Sequence, residues 1–254
     1  MIIDVHMHAD FLPATKLEEI QKNEKIRLVI TNSVNLGSCL KNLGICGKFS
    51  KIKLAAGLYP EENLKLPDFE KLERFILDNK NHIVALGEIG LDLHETKDNF
   101  ETQKVIFIKQ LELARKLKIP VIIHTRKAEK EVLDILDKFK DLKVILHCFS
   151  GNFKLVRRGV EIGCYFSVPA NITRSEHFQK MVKEVPRERI LTETDSPYLS
   201  PFIGLENEPF FISESIRKIS EIWNINEEEV EKQIEKNFNS IFKGLSQVRN
   251  IFHI

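Results

Sequence analysis

Short apolar runs alternate with amphipathic segments along the whole chain, and this alternation limits the fold more than any other feature. The runs fall at 1–8, 25–31, 53–59, 83–88, 121–124, 143–148, 164–168 and 190–194. They are rich in Ile, Val and Leu and are bounded by turn residues such as Pro13, Pro60 and Pro120, as buried strands are. Between them, 16–24, 35–49, 68–79, 100–118, 127–140, 152–162 and 175–184 read as helices, and two more close the chain at 209–223 and 226–242. The periodicity is helical: Phe69, Leu72, Phe75 and Ile76 share one face, as do Val132, Ile135, Leu136 and Phe139. Gly37, Gly44 and Gly47 weaken the second helix, and Gly163 ends the sixth as a C-cap.

Eight strands, each followed by a helix and joined by short connections, predict a parallel α/β fold. A (β/α)8 TIM barrel with an extra C-terminal helix, one domain over 1–254, accounts for both the count and the length. A doubly wound open sheet is the alternative. It usually places a glycine-rich phosphate loop after its first strand, where this chain has Val5-His6-Met7-His8.

A net charge of +1 excludes the global basic field of a non-specific duplex binder, so any nucleic acid must be held at a local site. Hydrophobic residues make up 43% of the chain, yet no apolar run reaches the length of a membrane span. The chain opens directly on a strand, so no signal peptide is expected. The four cysteines (Cys39, Cys46, Cys148 and Cys164) form no CxxC pair; Cys148 and Cys164 lie in strand-like runs and read as buried thiols of a reduced, cytoplasmic protein. No protein partner is legible.

The chemistry collects at strand ends. In the first strand, alternation puts Asp4, His6 and His8 on one face and Val5 and Met7 on the other, toward the helices. Two imidazoles spaced i, i+2 suit a divalent metal. Glu88 ends the fourth strand, His124 the fifth, His147 the sixth, and Asp195 follows the eighth. Each alone has a structural role open to it: Glu88 pairing a lysine, either histidine satisfied in the core, Asp195 capping a turn. Together they place four imidazoles and two carboxylates on one rim of a barrel, where active sites of this fold lie. That set exceeds what one tetrahedral ion takes and suggests two ions with a shared carboxylate.

These residues lie in motifs that run in order along nearly the whole chain. They are Asp4-Val-His-Met-His8, Gly87-Glu-Ile-Gly-Leu-Asp92, Pro120-Val-Ile-Ile-His-Thr-Arg126, His147-Cys-Phe-Ser-Gly151, Glu193-Thr-Asp-Ser-Pro-Tyr198, Asn207-Glu-Pro209 and Asn237-Phe-Asn-Ser-Ile-Phe242. In these the sequence resembles the TatD-like metal-dependent deoxyribonucleases, within the wider amidohydrolase-type barrels. The resemblance implies His6, His8, Glu88 and Asp195 around one metal and Glu88, His124 and His147 around a second. It also implies a barrel, Mg2+-supported activity, and hydrolysis of DNA phosphodiesters from the 3′ end. The imidazole-rich ligand set suits Zn2+ or Mn2+ as well. The family usually has His before the Pro that follows Gly57; this chain has Tyr59.

The leading expectation is a two-metal phosphodiesterase, a 3′-to-5′ exonuclease on single-stranded DNA, with a small phosphodiester as the other candidate partner. Glu88 and Asp195 are the catalytic carboxylates, Asp195 accepting the proton of the attacking water. Arg126, Tyr59 and Asn207 are candidates for substrate contact, and Asp4 and Glu193 for support of the ligands. Asp92 reads as structural and His94 as exposed. Hydrolysis of a small amide, lactone or phosphoester is the rival activity; a non-catalytic binding barrel would have lost ligands, and all six positions are filled.

Overall fold

The computed structural model describes residues 1–60, 64–94, 98–243 and 245. Eight strands, β1 (Ile2–Met7), β2 (Ile26–Asn32), β3 (Ile52–Ala56), β4 (Ile83–Asp92), β5 (Val121–Arg126), β6 (Val144–His147), β7 (Tyr165–Pro169) and β8 (Ile190–Glu193), pair in chain order. All adjacent pairs are parallel. The barrel closes where β8 meets β1: the Asp195 amide donates to His6 O at 2.8 Å and the His8 amide to Ser196 O at 2.9 Å. The helices are α1 (Ala14–Lys22), α2 (Leu36–Lys48), α3 (Leu66–Asp78), α4 (Phe100–Leu117), α5 (Glu129–Leu136), α6 (Phe153–Glu161), α7 (Glu176–Glu184), α8 (Ile212–Trp223) and α9 (Glu227–Ile241). The expected TIM barrel with an added C-terminal helix is therefore present. Among the described residues, no helix is long and apolar enough to cross a membrane.

The strands sort their apolar side chains into two layers. Val29, Leu54, Leu86, Ile123, Leu146 and Val168 pack against the helices. Ile3, Val5, Leu28, Ile30, Ala55, Ile122 and Leu191 fill the barrel interior. Each fully buried side chain of this size contributes roughly 1.5–3 kcal/mol relative to exposure. The capping box Asn226–Glu229 starts α9. Its far end brings Phe238 and Ile241 under the same interior cluster. That closes the end of the barrel where the strands begin and leaves the chemistry at the other end.

Strand alternation breaks beside the histidines of β1. The register pairs Asp4 with Val29 and Met7 with Thr31, so Val5 and His6 together oppose Ile30. This is a β-bulge, which re-aims side chains on the bulged strand. Two expectations are corrected by it. Val5 joins Ile3 inside the barrel instead of facing the helices, whereas Met7 does pack outward. Asp4 sits at the register of the outward-facing Val29 and does not share the face of His6 and His8. Instead it lies between β1 and β8, accepting from the amides of His6 and Thr194, both at 3.1 Å.

β4 continues four residues past Glu88, so Asp92 lies on a strand opposite Arg126 rather than in a loop. Glycines make this close pairing possible. A Cβ on Gly90, at φ +152°, would stand 2.0 Å from His124 O, and one on Gly87 would stand 2.5 Å from Asn32 Oδ1. Glu88 is thus held between two positions where the neighbouring chains leave no room for a side chain.

Candidate metal centre

At the open end of the barrel, Glu88 is the hub. Its Oε2 lies 3.6 Å from both His6 Nε2 and His8 Nε2. The same two nitrogens are each 3.4 Å from Asp195 Oδ1. Its Oε1 lies 3.0 Å from both His124 Nδ1 and His147 Nε2, which are 3.4 Å apart. Ligands at 2.0–2.1 Å around a tetrahedral ion are separated by about 3.3–3.4 Å, so both clusters have the spacing of a coordination shell. His6 is fully buried, and neither of its ring nitrogens makes a hydrogen bond within the described residues. A buried imidazole left without a partner costs free energy, and a cation among these atoms removes that cost. The donor set therefore fits divalent metal.

The surrounding groups fix which nitrogen each ring offers. His8 Nδ1 lies 3.0 Å from Asn32 O, a position that takes the N–H and leaves Nε2 free as a ligand. His124 Nε2 lies 3.1 Å from Asp92 Oδ2, which leaves Nδ1, 3.0 Å from Glu88 Oε1, as the nitrogen available to a metal. His147 Nδ1 faces Glu193 Oε2 at 3.6 Å. Glu193 in turn accepts from Ser167 Oγ at 2.5 Å and from the Cys148 amide at 2.9 Å. The backbone bends to make these contacts: Cys148 and Asp195 adopt φ of +43° and +61°, which costs a non-glycine residue on the order of 1 kcal/mol.

The electrostatics follow from crowding six titratable groups into one desolvated site. Burial pushes the Glu88 carboxyl up, but the imidazoles of His147 and His6 and hydrogen bonds from His124 and His147 hold it well below the usual carboxylate range. Asp195 is likewise lowered: His6 and His8 outweigh burial. His8 and His147 are raised because nearby carboxylates overcome their desolvation; His6 is lowered by burial and by its neighbour His147. His6 and His147 stack with centroids 3.8 Å apart. A divalent cation at this place would supply the positive charge that the two carboxylates otherwise draw from the imidazoles.

A cavity of about 570 Å³ opens above the hub, lined by His8, Tyr59, Glu88, His124, Arg126 and Asp195 among others. The family model described as TatD related DNase matches residues 3–243. The chain belongs to this family. A metal-dependent hydrolase of Methanocaldococcus jannaschii, itself uncharacterized, is 34% identical over 95% of this chain and 96% of its own length. The deoxyribonuclease TATDN3 of Homo sapiens is 36% identical over 74% of this chain and 71% of its own. In fold, the chain matches the crystal structure of the TatD homologue YjjV of Escherichia coli, with a TM-score of 0.85, 24% identity, and coverage of 95% and 97%. As a TatD-family protein the chain is a hydrolase, and its ligand-type residues are those of a metal-dependent one.

The six expected ligands all converge on this TatD-family site. Tyr59 reaches it as well, its hydroxyl 3.1 Å from Asp92 Oδ2 and 3.3 Å from His124 Nε2. Arg126 is exposed at the rim. Asn207 is corrected: it is 1% exposed, its amide donates to Thr194 O at 2.7 Å, and its Oδ1 accepts from the Glu208 amide at 3.0 Å. It pins the loop after β8 and does not face the cavity. Glu193 is fully buried, accepting from Ser167 and Cys148 and paired with His147 Nδ1 at 3.6 Å, so its ion pair is with a candidate ligand histidine. Asp92, which read as structural, touches the candidate ligand His124 directly. Cys148 is only half-buried and lines the cavity, unlike the buried Cys164. His94 is exposed, as expected. Asn32 was missed; a polar residue at the end of β2, on the same rim as His8, was the available signal.

Asp4 offers a separate test. Burial pushes its carboxyl up to about 8, against the Thr194 and His6 hydrogen bonds that lower it. The folded state thus keeps a proton that the unfolded chain releases near 3.8. The stability this group contributes is full below that pH and is lost as pH rises toward about 8. Asp4→Asn keeps the shape and removes the titration. Thermal melts of metal-free protein from pH 5 to 8.5 should show a smaller fall in Tm for the variant than for the parent; parallel curves would show that Asp4 is ionised in the fold.

Proposed function

We propose that this TatD-family hydrolase is a two-metal phosphodiesterase that removes nucleotides from the 3′ end of single-stranded DNA. The observation that supports it above all is Glu88, whose two oxygens each face a different set of nitrogens at 3.0–3.6 Å. His6, His8, Glu88 and Asp195 would hold one ion, and Glu88, His124 and His147 the other. Such a pair of divalent ions, Mg2+, Mn2+ or Zn2+, lowers the pKa of water and neutralises charge on the phosphoryl and leaving oxygens. The DNA substrate is supported by the family description and by the deoxyribonuclease name of the human relative.

The chain's own residues do the remainder. Asp195 takes the proton of the attacking water: its side chain is 17% exposed against 4% for Glu88, and only its Oδ1 faces His6 and His8. Arg126, at the end of β5, offers its planar guanidinium to a phosphate oxygen. Tyr59 orients Asp92 and His124 and presents its ring to the cavity. Asp4 holds the bulged β1 against β8, and Glu193 aims His147.

Protein loaded with Mg2+, Mn2+ or Zn2+ in turn and incubated with 3′-hydroxyl single-stranded DNA should release deoxynucleoside 5′-monophosphates from that end. A lactone tested in parallel should stay intact. Lactone turnover with no cleavage of DNA or of a small phosphodiester would overturn the assignment.

A further inference from the structure

Two aromatic rings at the mouth of the site have no structural task that accounts for their position. Phe11 is 48% exposed and Tyr198 is 55% exposed, and both line the cavity. Phe11 lies on the turn after β1, its amide bonded to His8 O at 3.2 Å; Tyr198 lies on the turn after β8, its amide bonded to Asp195 O at 2.8 Å. Their rings stand 5.4 and 6.3 Å from the imidazole of His8. Each is thus carried by the same short turn as a residue of the hub and cannot drift far from it.

Large apolar side chains exposed to water are not spread evenly over this surface. Of the ten among the described residues, five (Phe11, Tyr198, Phe202, Ile203 and Leu205) lie on these two segments. The third aromatic of the cavity, Tyr59, differs: its hydroxyl is bound between Asp92 and His124. The wall on the His8 side therefore offers exposed aromatic rings beside the candidate metal centre, while the lining's guanidinium, Arg126, stands at the end of β5.

We propose that Phe11 and Tyr198 form a stacking platform for the nucleobase next to the scissile phosphate. The substrate class is then a single-stranded end whose terminal base is unpaired, since a base within a duplex already has both faces covered. The proposal rests on the phosphodiesterase assignment above. It adds that recognition is through the base and is tolerant of sequence, because every base has a π-face. A small phosphodiester without a planar ring gains nothing from this wall.

The test compares two DNA strands of equal length and charge, one ending in normal nucleotides and one whose terminal residues are abasic. Stacking on an aromatic side chain is worth roughly 1–3 kcal/mol per base, so the metal-loaded parent should cleave the normal end on the order of tenfold faster at sub-saturating DNA. Phe11→Leu with Tyr198→Leu keeps the lining apolar and should bring that ratio close to one, chiefly through KM. Phe11→Trp with Tyr198→Phe should retain it. Melting curves and metal content confirm that each variant is folded and loaded; if the leucine variant does not fold, the parent's ratio and the aromatic variant decide. A parent that cleaves both ends equally fast, or a leucine variant that loses both activities in the same proportion, overturns the platform and leaves the phosphodiesterase assignment standing. A parent that cleaves neither strand overturns both.

Discussion

Replacing Glu88 with Gln is expected to lower kcat/KM by on the order of a thousandfold or more, whichever metal is supplied. The side chain is almost isosteric, so the loss is one of charge and of donor capacity. In the parent, each carboxylate oxygen serves a different cluster of nitrogens. In the variant one of those oxygens becomes an NH2 group, which has no lone pair to offer an ion. Both ion positions weaken together, and the bound metal, measured by elemental analysis, should fall from two ions per chain toward one or none. A second readout needs no activity. The Glu88 carboxyl is held well below its ordinary value in the fold, so in metal-free protein it contributes stability that is present above about pH 4.5 and lost in more acid solution. Metal-free Glu88→Gln should therefore melt below the parent at pH 7, with the gap narrowing as pH falls below about 4.5. A variant with the parent's activity would sink the two-ion centre.

The barrel was legible because its cause is local. Each β-strand is an apolar run, each helix an apolar stripe, and their strict alternation leaves few topologies. The six hub residues were legible for the same reason: a polar residue ending an apolar run is visible without knowing what lies across from it. What escaped depends on pairing between strands. The bulge at Val5 and His6 arises from the register of β1 on β2 and of β1 on the turn after β8; strict alternation places Asp4 beside the histidines, while the fold turns it to Thr194. Asp92 looked like loop because Gly90 interrupts the apolar pattern, yet that glycine is what lets β4 run on against His124. Asn207 sits in a motif shared with a nuclease family, which says that the position matters but not whether it touches substrate or, as here, ties down the loop that carries Asp195. Glu193 illustrates the converse: its spacing from Asp195 suggested a ligand-supporting role, and its neighbours Ser167 and Cys148, from two other strand ends, make that role physical.

Asp195→Asn separates binding metal from moving a proton. The variant retains a carbonyl oxygen opposite His6 and His8 but offers no anionic site for the proton of the attacking water. At saturating metal kcat should still fall by about 10²- to 10⁴-fold, the usual contribution of a positioned general base. The pH dependence follows from the same geometry. His6 and His8 hold the Asp195 carboxyl below its ordinary value despite burial, so Asp195 stays ionised through the acid range and does not set the acid limb of the parent's rate. That limb belongs to the imidazoles, His8, His124 and His147, whose raised values mean that protons compete with metal as pH falls. Excess metal should accordingly move the parent's acid limb to lower pH, and Asp195→Asn should lower the whole profile while the limb still shifts with metal. Full recovery of kcat in the variant at high metal concentration would make Asp195 a ligand alone, and the proton acceptor would then have to be sought elsewhere on the cavity wall.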